Sequence, residues 1–380
     1  MNRALFGASA FYAFLFLALG AYLPFWPLWL ADWGLAPGEI GGLMAASIAV
    51  RVFMGLAVPY AADRAGRPRR ALALISVLAA LFYLAHEAAG ARPALYAATI
   101  LAAAAVAGLA PIGDALTLRA AAREGFAYST ARGVGSAAFL VANLLGGVAV
   151  SAFGSDAALW WIVICYLACA PFGLRHPGGA GAPLPTPRLA DALALVGRRD
   201  FLLLMVAMGA LNGAHAPIYA YGSLHWREAG IGDETIGALW AFGVLCEVVL
   251  MIGFGRALLA RWGAAGAVAL AAAAGVLRWV AMAFDPSLAL LWPLQATHAL
   301  TFGAAYLGGV EIAGRAAGPA LASTAQGLAG AVAGGIGMAA ASLAAAWAYP
   351  LWGGGAFLIG AALSALGLFA ALALRQGGVR

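Results

Sequence analysis

The chain has 380 residues, 64% of them hydrophobic and only 9% charged, with a mean hydropathy of +0.93. Soluble domains carry about a quarter charged residues, so this composition excludes a water-soluble globular protein and leaves a polytopic membrane protein. The 21 basic residues are all arginine and give a net charge of +6; no basic stripe is interleaved with stacking aromatics, which argues against a nucleic-acid partner.

A hydrocarbon core about 30 Å thick needs roughly 20 apolar residues per helical crossing. Runs of that kind recur near 5–30, 38–61, 70–87, 94–120, 128–152, 157–174, 200–226, 234–257, 263–284, 288–314, 320–348 and 353–374. Twelve transmembrane helices are therefore expected, in an all-α membrane protein. The first run follows Arg3 and is too long for a signal-peptide core, so it reads as a retained helix. Sixteen arginines fall on one side of these spans and two, Arg92 and Arg227, on the other. The positive-inside rule then puts both termini and the 175–199 loop in the cytoplasm. Cys165, Cys169 and Cys246 all lie within spans and read as buried thiols, with no disulfide, metal or cofactor framework.

The two halves repeat. "GLAPGEIGGLMAASIAVRV" (34–52) aligns without gaps to "GIGDETIGALWAFGVLCEV" (230–248), with six of nineteen positions identical at an offset of 196. "STARG" (129–133) matches "STAQG" (323–327) at an offset of 194. Spans 2 and 8, and spans 5 and 11, are thus equivalent. The expected organisation is a six-helix bundle at 1–174, a cytoplasmic linker at 175–199 and a second six-helix bundle at 200–380. Such parallel repeats bind their solute near the bilayer midplane.

The loop after the second span, "PYAADRAGRPRR", resembles the signature of the major facilitator superfamily at Asp63, Arg64, Gly66 and Arg67, with Pro59 where glycine is usual. Asp63 and Arg64 are expected to latch a neighbouring helix end; the plainer reading is a topogenic loop. "PIGDAL", "YSTARGVGSAAF", "LWAFGVLCEV", "GVLRWVAM" and "THALTFGAAYL" are similar to the phenylpropionate permease branch, a relative of lactose-permease-type proton symporters. The resemblance covers nearly the whole chain. It implies two pseudo-symmetric six-helix bundles and a proton symporter of the inner membrane.

Ionisable groups inside spans are costly and mark functional positions. In chain order these are Arg51, then Asp114 and Arg132, then Arg278 and His298 with Glu247 before them. Arg51 and Glu247 are repeat partners, expected at equal depth on opposite sides of a central cavity. Asp114 and Arg132 have matched depths of roughly 8–9 Å on neighbouring helices and are expected to pair, as a gate or as a strut; Gln326 takes the place of Arg132 in the second half. Asn212 and His215 share a helical face, with Tyr219 four residues on and Pro217 loosening the helix between. They are candidates for substrate contact, alongside Arg51; core hydrogen bonding is the alternative for His215.

A carboxylate on span 8, an arginine on span 9 and a histidine on span 10 resemble the set with which lactose-permease-like symporters couple protons. An apolar wall favours a protonated carboxyl and a nearby guanidinium an ionised one, so moving Arg278 would exchange a proton at Glu247; His298 can relay it. A fixed Glu247–Arg278 pair with a hydrogen-bonding His298 is the structural alternative. The pattern's further carboxylate after the histidine is missing, since the next acid is Glu311. No HExxH or GxSxG motif points to an enzyme. The expectation is a monomeric proton symporter in the lipid bilayer, importing a small organic molecule, first an organic anion such as an aromatic carboxylate. Import of a sugar or nucleoside, and export of a drug or metabolite, are the alternatives.

Overall fold

The computed structural model describes residues 2–179 and 194–376, without the side chains of residues 317–327, 329 and 331–333. The chain is helical, with no strand among the described residues. Backbone chemistry requires this, because a bilayer offers no water to bond N–H and C=O groups and a helix satisfies them internally.

Helix α1 (Arg3–Asp32) is capped by Asn2, whose side chain accepts from the Ala4 amide. Helices α2 (Pro37–Arg64) and α3 (Pro68–Leu84) both start on proline, which has no N–H to waste at a first turn. Between them Gly66 has φ 63°, a left-handed turn that glycine adopts without strain. The fourth span is two helices, α4 (Arg92–Val106) and α5 (Leu109–Glu124), followed by α6 (Tyr128–Phe153) and α7 (Asp156–Leu174). The seventh span is likewise divided into α8 (Arg199–Gly213) and α9 (Ala216–Glu228), the break falling just before Pro217.

Helix α10 (Asp233–Val249) runs into a π-helical turn at Leu250–Phe254, and α11 (Gly255–Met282) is interrupted at Gly263, with φ 68° and ψ 171°. Helix α12 (Leu288–Ala296) precedes a second π-helical turn, Ala299–Ala304. Helix α13 (Ala305–Ala331) continues through the turn expected near 315–319. A third π turn at Val332–Gly337 leads to α14 (Met338–Trp352), and a 3-10 turn at Gly353–Phe357 leads to α15 (Leu358–Gln376). Eight continuous helical stretches among the described residues are long and apolar enough to cross a membrane. Twelve were expected; neighbours merge where helix runs through the loop, as in Asp233–Met282 and Gly334–Gln376.

The chain forms two compact units. Unit 1 comprises residues 1–35, 46–184 and 230–241; unit 2 comprises 36–45, 185–229 and 242–380. In unit 1, α1 packs against α5, α6 and α7, and α3 against α4 and α7. Gly20 permits the α1–α6 approach, since a Cβ there would stand 2.7 Å from Phe139 O. In unit 2, α11 packs against α13 and α15, over a core of alanines with Leu204, Leu211, Val268, Ile312 and Leu374.

Helices α2 and α10 are each divided between the units. Residues 36–45 group with unit 2 and residues 230–241 with unit 1, and the 196-residue repeat relates these segments. Its identical glycines, Gly41 and Gly237, both sit at close approaches. A Cβ on Gly41 would stand 2.7 Å from Ala346 Cβ, and one on Gly237 would run into the Asn143 carbonyl. Most of the expected linker, residues 180–193, lies outside the described residues.

Candidate functional site

Arg278, on α11, is 2% exposed. A guanidinium removed from water needs acceptors to be tolerated, and three residues one turn apart supply them. Its Nη2 donates to Gln295 Oε1 at 2.8 Å; its Nη1 donates to Thr301 Oγ1 at 2.9 Å and to His298 Nδ1 at 3.3 Å. Arginine only donates, so His298 Nδ1 is an acceptor and the ring proton sits on Nε2. That nitrogen lies 3.2 Å from Glu247 Oε2 on α10. The same accounting assigns His215: Nδ1 faces Leu211 O at 2.9 Å and must donate, leaving Nε2 to accept from the Thr301 hydroxyl at 3.2 Å.

The result is one connected chain: His298, Arg278, Thr301 and His215 are hydrogen-bonded with both imidazoles neutral, Glu247 stands at ion-pair distance from His298, and the buried Arg278 Nε has no partner among the described residues. Two π turns set its geometry. One begins three residues after Glu247, the other directly after His298, and they pack against each other. Such turns re-aim the side chains that follow and gather at functional sites. Glycines let the elements close: a Cβ on Gly303 would stand 3.3 Å from Glu247 Cγ, and one on Gly243 3.2 Å from Gln295 O. The His298 ring stacks on Phe302 with centroids 5.3 Å apart.

Glu247, Arg278 and His298 are thus brought together, but with His298 in the middle. Among the described residues Glu247 and Arg278 form no direct ion pair, which corrects the fixed-pair alternative. His215 is also corrected. It is 2% exposed and both its nitrogens are engaged within the unit, so it braces Thr301 and offers no free donor to a solute. Asn212 turns back to donate to Met208 O, one turn earlier in its own helix, at 3.0 Å. The Tyr219 ring lies 5.8 Å from that of His215.

In unit 1 the expected Asp114–Arg132 ion pair does not form among the described residues. Asp114 Oδ1 accepts instead from the Tyr12 hydroxyl and from Tyr128 OH at 3.0 Å. The Arg132 guanidinium lies over the rings of Phe16, at 4.1 Å, and Tyr12, at 5.6 Å. Equal depth is a one-dimensional match; the tyrosines from α1 and α6 occupy the space between. Arg51 lies over the Tyr22 ring at 4.8 Å, with Tyr83 and Tyr166 close by, and its buried Nε has no partner among the described residues. Asp63 and Arg64 are exposed and in no ion pair among the described residues. The Gln326 side chain lies outside the described residues.

Sequence reasoning missed Gln295 and Thr301, although their i−3 and i+3 spacing about His298 in "LQATHALTFG" was a legible signal. It also missed Tyr12, Tyr22, Tyr83, Tyr128 and Tyr166 as partners of charge; nothing in their local sequence distinguishes them from core aromatics.

Known proteins resemble this chain along most of its length. The MFS_1 like family model matches residues 5–357. A probable 3-phenylpropionic acid transporter of Escherichia coli is 31% identical over 299 residues, covering 77% of each chain. A maltose permease of Geobacillus stearothermophilus is 30% identical over 329 residues, 86% of this chain and 83% of that one. Among solved structures, the nucleoside transporter NupG superposes with a TM-score of 0.80 at 15% identity, over 99% of both chains.

Proposed function

Because the chain belongs to the MFS_1 like family, whose members are transporters of the major facilitator fold and not enzymes, we propose that it is a proton-coupled symporter importing a small organic anion, aromatic carboxylates first. The carrying observation is His298 bridging Glu247 to Arg278. Glu247 holds the coupled proton. While ionised it takes a charge-assisted hydrogen bond from His298; once protonated it takes a weaker, neutral one, which loosens the hold of His298 on Arg278. Proton binding at one end of the chain is felt at the other.

The choice of an anion rests on charge. Arg51, Arg132 and Arg278 outnumber Asp114 and Glu247, and Arg51 has aromatic partners and no carboxylate among the described residues. Arg51 is half-buried, and a cation partly removed from water without a counter-ion is balanced by a bound anion. Arg51, with Asn212 and Tyr219, is assigned to substrate contact, and Asp63, Arg64, Asp114 and Arg132 to gating. The termini are placed in the cytoplasm of a bacterial inner membrane, and the carrier works as a monomer. Import of a sugar is the second reading, supported by the maltose permease relative.

Uptake into proteoliposomes, with and without an imposed proton gradient, tests this. Aromatic monocarboxylates should accumulate only with the gradient, and Arg51→Gln should abolish their uptake. Gradient-driven uptake of maltose or a nucleoside, with none of any carboxylate, would overturn the anion assignment; gradient-independent accumulation would overturn the coupling.

A further inference from the structure

A second charged feature lies in unit 2, away from the Arg278 chain. At Gly263 helix α11 breaks, and the segment before the break ends in Arg261 and Trp262. The last turn of α15 brings Leu372, Arg375 and Gln376 to the same place. With Ala260, Gly263 and Gly266 these residues line a cleft of about 740 Å³. Among the described residues no carboxylate lines it. Arg261 and Arg375 are both exposed and, among the described residues, bond to nothing.

Two guanidiniums on one cleft repel unless an anion lies between them, and their planar forks match the oxygens of a phosphate. A Cβ on Gly266 would stand 3.2 Å from Trp262 Cβ, so glycine keeps the cleft wall low.

We propose that this cleft binds the phosphate of an anionic membrane lipid. A free phosphate shares the chemistry of the headgroup, but the surroundings favour the lipid. Trp262 is 45% exposed beside Arg261, the placing of an indole at the headgroup level of a bilayer. Phe369, Leu372 and Gln376 follow one another on one face of α15 at i, i+3 and i+7. Phe369 and Leu372 are 73% and 40% exposed, an apolar path along which an acyl chain lies with its headgroup between the arginines.

The purified full-length protein in detergent, supplied with phosphatidylglycerol, phosphatidylcholine or inorganic phosphate, provides the test. Phosphatidylglycerol should raise Tm by about 5 °C and phosphatidylcholine or inorganic phosphate should not. Arg261→Gln/Arg375→Gln should lose the rise, whereas Arg119→Gln/Arg175→Gln, which removes two arginines from unit 1, should keep it. An equal rise with inorganic phosphate would overturn the lipid in favour of a soluble anion. A rise that survives Arg261→Gln/Arg375→Gln, or that the unit 1 variant also loses, would overturn the site. Should the double variant aggregate, Arg375→Gln alone, read by native mass spectrometry for retained phosphatidylglycerol, makes the same comparison.

Discussion

His298 Nε2 lies 3.2 Å from Glu247 Oε2 while the opposite ring nitrogen accepts from Arg278. One imidazole therefore reads a carboxylate on its proton-bearing side and a guanidinium on its bare side. Neither neighbour can change without the ring sensing it.

Glu247→Gln keeps an oxygen to accept from His298 but can neither take up nor release a proton. The variant should fold and exchange substrate at rates within about threefold of wild type, yet lose at least tenfold in proton-driven accumulation, since one coupling step costs 1.4 kcal/mol per decade. Counterflow and gradient-driven uptake in the same vesicles separate the two. Wild-type accumulation by the variant would show that Glu247 carries no coupled proton.

Asp114 is held by Tyr12 and Tyr128, not by Arg132. Exchanging the charges, Asp114→Arg with Arg132→Asp, should therefore fail to restore transport lost in the single variants. Tyr12→Phe with Tyr128→Phe should instead destabilise unit 1 by roughly 2–4 kcal/mol, removing two hydrogen bonds to a charged acceptor. Thermal unfolding measures this; recovery of transport in the exchanged protein would restore the direct pair.

Asn143, on α6 close to Gly237, is fully buried, with neither its oxygen nor its nitrogen partnered among the described residues. Leucine has a similar shape and no polar group to desolvate, so Asn143→Leu should raise stability by about 1–3 kcal/mol. A fall in Tm would mean that the amide has a partner, such as a buried water.

His176 opens the linker and docks in unit 1. Its Nδ1 accepts from the Gly178 amide at 3.2 Å and its Nε2 meets Thr117 Oγ1 at 3.3 Å. Burial, with Arg69 nearby, lowers its pKa from 6.5 to about 4. The unfolded chain thus binds a proton near 6.5 that the folded one refuses until about 4. The stabilisation is complete above 6.5 and is lost as pH falls towards 4, by roughly 3 kcal/mol in all. His176→Asn keeps an acceptor for Gly178 without titrating, so its Tm should fall less over that window. Parallel Tm–pH profiles would contradict this.

Class, spans and the internal repeat were legible in the amino-acid sequence by itself, because the bilayer forces apolar runs of one length and helices to satisfy the backbone. The repeat even located the glycines, Gly41 and Gly237, on which the divided helices make close approaches. Three charged or titratable groups of the unit 2 chain were also visible, since a lone Glu247, Arg278 or His298 stands out against an apolar span. Their order was not. Which atom faces which depends on two π turns that insert residues without a sequence mark, and on Gln295 and Thr301 meeting Arg278 from another helix. The same holds for Asp114, where depth along the helix was readable but azimuth was not. Tertiary packing put tyrosines into that gap, because side-chain direction is set by helix rotation against neighbours and no one-dimensional pattern records it.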